Sequence, residues 1–156
     1  EKYEESIECY DKAIPMHPED AYALNGKGNS LFGLEKYEEA IECYDKSIQI
    51  DPEYSEPLYH KGNALKELER HEESIECYDK AIQMDPNDEF VFYNKGVLLT
   101  DMEKLQEALE CYNRVLEIEP NEEDALYNKG TILNELGKNE EAEKCFTQVK
   151  ELESSD

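Results

Sequence analysis

Five cysteines, Cys9, Cys43, Cys77, Cys111 and Cys145, stand 34 residues apart along a chain of 156 residues. A fixed period of this length means that one supersecondary unit is repeated and stacked, which removes most other architectures from consideration. The text around the cysteines recurs as SIECYDKAI, AIECYDKSI, SIECYDKAI, ALECYNRVL and AEKCFTQVK. A second block keeps the same step: LNGKGNSL, LYHKGNAL, FYNKGVLL and LYNKGTIL. The chain therefore divides into a half repeat, 1–20, and four full repeats, 21–54, 55–88, 89–122 and 123–156.

Within a repeat the apolar spacing is that of helices. In the second full repeat Leu58, Gly62, Leu65 and Leu68 fall on one stripe, and Ser74, Ile75, Tyr78, Ala81 and Ile82 on another. A short polar turn such as Glu69–Arg70 separates the two. Pro18, Pro52, Pro86 and Pro120 are expected to end the second helix of each repeat, because proline cannot continue a helix. Asp20, Ser55 and Asp88 are expected to cap the helix that follows. No stretch alternates with period two over strand length, so the expectation is all-α, with nine helices.

The residues at fixed offsets resemble those of the tetratricopeptide repeat. The first full repeat has Leu24, Gly28, Leu31, Ala40, Tyr44, Ser47 and Pro52, and the second Leu58, Gly62, Leu65, Ser74, Tyr78, Ala81 and Pro86. The third has Phe92, Gly96, Leu99, Ala108, Tyr112, Val115 and Pro120, and the fourth Leu126, Gly130, Leu133, Ala142, Phe146 and Val149. The resemblance implies a right-handed superhelical solenoid of antiparallel helix pairs whose first helices line a concave groove. It also implies a non-enzymatic scaffold that binds protein. Physics agrees: small residues at the Gly28, Ala40 and Ser47 positions let two helices approach, and one pair cannot bury its apolar face alone.

The two ends read differently. Ile7, Ile41, Ile75 and Leu109 sit where the second helix meets the next repeat, as do Ile14, Ile48, Ile82 and Leu116. The last repeat places Glu143 and Lys150 there. Exposing an Ile side chain forgoes roughly 1.5–3 kcal/mol of burial, so charge at those places is expected to mark a capping repeat. The start lies mid-repeat and is expected to be a cut end.

Sixteen basic against 40 acidic residues give a formal net charge of −24. Nucleic acid is a poor partner for such a surface, since phosphate affinity comes from clustered Lys and Arg. Anionic membranes are disfavoured for the same reason, and no apolar run is long enough to span a bilayer. Equivalent cysteines in successive repeats lie at least a helix spacing apart, about 8–10 Å. That is too far for a disulfide, which needs Cα atoms within about 7 Å. The five thiols are read as packing residues suited to a reducing, cytoplasmic setting. His17, His60 and His71 occupy three different offsets, with His71 in the place of Tyr37, a packing site. No catalytic residue, metal site or cofactor is expected. Lys27, Lys61, Lys95 and Lys129 precede the repeated glycines, and are expected to pair with carboxylates across helices, Glu42 and Glu76 being examples.

Function is expected in the groove, which the resemblance assigns to particular places of each first helix. The expected peptide-binding residues are Tyr22, Asn25, Asn29, Tyr59, His60, Asn63, Phe90, Tyr93, Asn94, Tyr127 and Asn128. Tyrosine offers contact area at little entropic cost, and asparagine can hydrogen-bond a peptide backbone from both sides. Average tetratricopeptide repeats also favour Tyr and Asn there. Glu56, Glu67, Asp101, Asp124 and Glu135 face the groove against Lys66 alone. The family's two-carboxylate clamp needs basic residues at the second, fifth and sixth places; here the fifth holds Asn25 or Tyr, and the second Tyr22, Glu56, Phe90 or Asp124. The expected ligand is a neutral or basic peptide or helical segment. Homo-oligomerisation through the first helix or the groove is the alternative.

Overall fold

A computed structural model describes residues 2–154. Among them the helices are α1 (Lys2–Ala13), α2 (Ala21–Phe32), α3 (Tyr37–Ile50), α4 (Glu56–Glu67), α5 (His71–Met84), α6 (Glu89–Asp101), α7 (Leu105–Ile118), α8 (Glu123–Glu135) and α9 (Asn139–Glu153), with no strand. None is long and apolar enough to cross a membrane. The chain forms two compact units, Glu1–Pro86 and Asn87–Asp156.

In the first unit α1 packs on the pair α2/α3, and α3 on the pair α4/α5. Its core gathers Leu31, Ala40, Ile41, Cys43, Tyr44, Ala64, Leu65 and Cys77, bordered by Ile7, Phe32, Tyr37 and Leu68. Each pair closes on a glycine–aromatic contact: a Cβ at Gly62 would lie 2.6 Å from Tyr78 Cε1. Small hydroxyls seal the approach. Ser74 Oγ donates to the Gly62 carbonyl and Ser47 Oγ to the Ala21 carbonyl, each at 2.7 Å. In the second unit Tyr112 and Phe146 take the same place against Gly96 and Gly130. Leu109 is buried there, whereas Glu143 and Lys150 are exposed.

The turn inside each pair has one design. The Lys36, Arg70, Lys104 and Lys138 amides reach back five residues to the carbonyls of Leu31, Leu65, Leu99 and Leu133. This is the Schellman closure, and it requires a left-handed residue just before each of those amides. Gly137 supplies it in the last pair (φ 74°), but Glu35, Glu69 and Glu103 do so in the others (φ 57–59°).

Two expectations about helix ends need correction. Asp20 and Asp88 cap as expected, accepting from the Ala23 amide and from the Phe90 and Val91 amides. Ser55 occupies the N-cap of α4 but makes no side-chain capping bond, because its backbone is already helical. Pro52, Pro86 and Pro120 lie two residues past the ends of α3, α5 and α7, whereas α1 stops at Ala13, well short of Pro18. The reason is Pro15, which has no amide to extend the helix.

Candidate peptide-binding face

In the first unit the expected residues of α2 and α4 are joined by a relay that starts in the core. The Tyr44 hydroxyl, carried by the second helix, donates to Asn29 Oδ1 at 2.9 Å. The Asn29 amide nitrogen lies 3.4 Å from His60 Nε2. His60 stacks on the Tyr44 ring with centroids 5.8 Å apart and lies 5.1 Å from the Tyr59 ring. Tyr59 in turn sits 6.4 Å from Tyr78, whose hydroxyl donates to Asn63 Oδ1 at 2.6 Å. Asn29 and Asn63, both half-buried, thus spend their carbonyl oxygens on buried tyrosines. Burial makes the imidazolium of His60 costly and lowers its pKa, with Glu56 opposing from nearby. Burial likewise raises the pKa of Tyr44 and Tyr78, so their hydroxyls keep their protons.

Asn25 is placed differently from its sequence reading. It is only 4% exposed and cannot lie against a ligand as an open lining residue. Its amide nitrogen reaches the Tyr54 hydroxyl at 2.8 Å and Glu56 Oε2 at 3.4 Å. Tyr54 donates to the same carboxylate oxygen at 2.6 Å. Tyr22 stands over this cluster, 65% exposed, with its ring centroid 4.6 Å from that of Tyr54. Lys66 pairs with Glu67 at 3.8 Å. A depression of about 1210 Å³ in this unit opens beside the loop that carries Met16 and Asp20, and shares only Tyr22 with the expected set.

In the second unit Phe90 and Tyr127 are the open aromatics, 64% and 58% exposed. Tyr93 is half-buried at 6.0 Å from Tyr112, and its hydroxyl accepts from Asn128 Nδ2 at 3.3 Å. Tyr127 packs 5.8 Å from Phe146. Asn94 donates to the Phe90 carbonyl one turn earlier on its own helix. The hydroxyl–asparagine link of the first unit is missing here, because Val97 and Thr131 stand where Asn29 and Asn63 would be. The Tyr112 pKa is pushed up to about 12, chiefly by burial, against a hydrogen bond with Thr100.

Lys27 and Lys61 do pair across helices, with partners other than Glu42 or Glu76. Lys27 meets Asp11 at 2.6 Å and Lys61 meets Asp45 at 2.5 Å, each carboxylate belonging to the second helix of the preceding repeat. Among the described residues no group of three His, Cys, Asp or Glu could hold a metal ion. Sequence reasoning missed Tyr54. Its signal was a break in period: the other repeats hold Asp20, Asp88 and Glu122 at that place.

The tetratricopeptide repeat model matches residues 21–54, 55–88 and 90–122, and a second model of the same repeat matches 111–144. The chain belongs to the tetratricopeptide repeat family. No curated protein sequence matches it. Among solved structures, a crystal structure of MamA superposes with a TM-score of 0.91 at 23% identity, over 98% of this chain and 90% of that one. The tetratricopeptide protein YrrB, described as having an unusual peptide-binding site, gives 0.76 at 27% identity over 95% and 76%. The first tetratricopeptide domain of Spaghetti (RPAP3), solved with the HSP90 peptide SRMEEVD, gives 0.72 at 30% identity over 75% and 93%. The fold class is thus the all-α tetratricopeptide solenoid.

Proposed function

We propose that this tetratricopeptide protein is a non-enzymatic interaction scaffold that takes an extended peptide or helical segment on its first-helix faces. The observation that carries the reading is the relay Tyr44–Asn29–His60–Tyr59, with exposed Tyr22 on the same helix as Asn29, matched in the second unit by exposed Phe90 and Tyr127. Such a face combines aromatic area with amide donors already held in place, which lowers the ordering cost of binding. YrrB and the Spaghetti domain support it, as relatives in fold whose descriptions name peptide sites. Tyr22, Asn29, Tyr59, His60, Asn63, Phe90, Tyr93, Asn94, Tyr127 and Asn128 are its contact residues, and Asn25 acts from below.

The ligand we propose is neutral or basic. The Spaghetti peptide ends in acidic residues, whereas this chain offers Asn25, Tyr59, Tyr93 and Tyr127 at the fifth places, among exposed carboxylates such as Glu56 and Glu67. The division into a half repeat and four full repeats, with the last as a cap, belongs to the same reading.

The test is selection of peptides from a random library, followed by titration against the protein and its Tyr22→Ala, Phe90→Ala and Tyr127→Ala variants. Exposed aromatic anchors should each weaken binding by about tenfold. Acidic-tailed winners, or affinity unmoved by all three changes, would count against the reading. Sedimentation over a concentration range examines self-association, which the scaffold reading expects only with ligand present.

A further inference from the structure

Two residues that break the repeat, Asn25 and Tyr54, touch each other. At the place of Asn25 the later repeats hold Tyr59, Tyr93 and Tyr127, and at the place of Tyr54 the others hold an acid. Asp20 and Asp88 cap α2 and α6 with their side chains, whereas α4, preceded by Tyr54, and α8 have no such bond. Two departures from the repeat that touch each other call for a compensating use.

The corner so built has the parts of a cation seat. The Tyr22 and Tyr54 rings meet at 42°, and Tyr22 is largely open to solvent. The exposed Glu56 carboxylate accepts from Tyr54 and Asn25, and no Lys or Arg is paired with it among the described residues. Asn25, only 4% exposed, holds this carboxylate from beneath through its amide nitrogen.

We propose that the Tyr22–Tyr54–Glu56–Asn25 corner seats a guanidinium or ammonium side chain of the bound peptide. Glu56 supplies the counter-charge, the rings supply π faces to the cation, and Asn25 steadies the carboxylate from beneath. A planar guanidinium fits best, since it can stack on a ring face while its fork meets the carboxylate. The inference rests on the scaffold reading and names one side chain of its ligand.

The probe is N-acetyl-arginine methylamide, with the citrulline compound as its uncharged counterpart, followed by the ring proton resonances of Tyr22 and Tyr54. Saturable shifts of both rings are expected, weaker by about tenfold for citrulline and for Glu56→Gln. Tyr54→Asp restores the residue type of the other repeats, so it should keep the fold while abolishing the shifts. Glu38→Gln, an exposed acid elsewhere, should leave them unchanged. Equal binding of arginine and citrulline, indifference to Glu56→Gln, or no saturable shift at these rings overturns the seat. Library peptides that lack a basic residue yet lose affinity on Tyr127→Ala would overturn the seat and leave the scaffold reading standing. Arginine binding at the corner with no peptide binding on either face would instead remove the scaffold reading.

Discussion

Tyr78 lies so close to the bare backbone of Gly62 that a Cβ there would come within 2.6 Å of its ring. Tyr112 stands farther from Gly96, at 3.1 Å by the same measure. The Tyr78 hydroxyl is tied to Asn63, and at the equivalent place the next repeat has Val97.

Two glycine substitutions should therefore differ. Gly62→Ala forces the fully buried Tyr78 ring to move and should cost about 1–3 kcal/mol, as overpacking does. Gly96→Ala needs a shift of a few tenths of an ångström, and the better helix propensity of alanine, about 1 kcal/mol, largely offsets it. Urea unfolding of the two variants beside the parent protein reads the difference directly.

The left-handed glutamates at the turns are open to improvement. Glu69 adopts φ 57°, which costs an L-residue about 1 kcal/mol or more that glycine does not incur. Glu69→Gly should raise the unfolding midpoint. Gly137→Ala should lower it by a similar amount, although nothing lies within 4 Å of the added methyl.

Acid should act through His60. Its folded pKa is lowered by burial, so below about pH 6.5 the unfolded chain binds a proton that the folded chain refuses. That contribution is whole above pH 6.5 and is lost as pH falls toward the folded pKa. His60→Asn introduces the residue type of Asn94 and Asn128, and should remove this part of the acid destabilisation. The difference in unfolding free energy between parent and variant, followed from pH 7.5 to about 5, checks it; a difference constant with pH contradicts it.

Thiol chemistry should sort the cysteines. Cys9 is exposed, whereas Cys43, Cys77, Cys111 and Cys145 are buried. Burial also raises the pKa of Cys43, Cys77 and Cys145, holding back the reactive thiolate. A thiol reagent at neutral pH should modify Cys9 rapidly and the other four only as the protein opens, which mass spectrometry of timed samples would resolve.

The helices and their pairing were legible because the period repeats every packing decision four times. Gly28, Tyr44 and their counterparts announce the close contact before any coordinate is known. The end of α1 was not legible from the repeat, because Pro15 is a private substitution in one copy. The lysine partners were missed for another reason: Asp11 and Asp45 lie one repeat back, and only the stacking brings them within reach of Lys27 and Lys61. Asn25 read as a groove residue because the resemblance assigns the fifth place of each repeat to the groove. What buries it is Tyr54, a residue 29 positions later.

The bond from Tyr44 to Asn29 has a consequence for how this protein could be watched at work. A single phenol is at once the wedge between two helices and the anchor of a surface amide. Whatever pulls on that amide also loads the wedge, so occupancy of the face and rigidity of the helix pair become linked quantities. With no tryptophan in the chain, tyrosine emission would carry that linkage without any label.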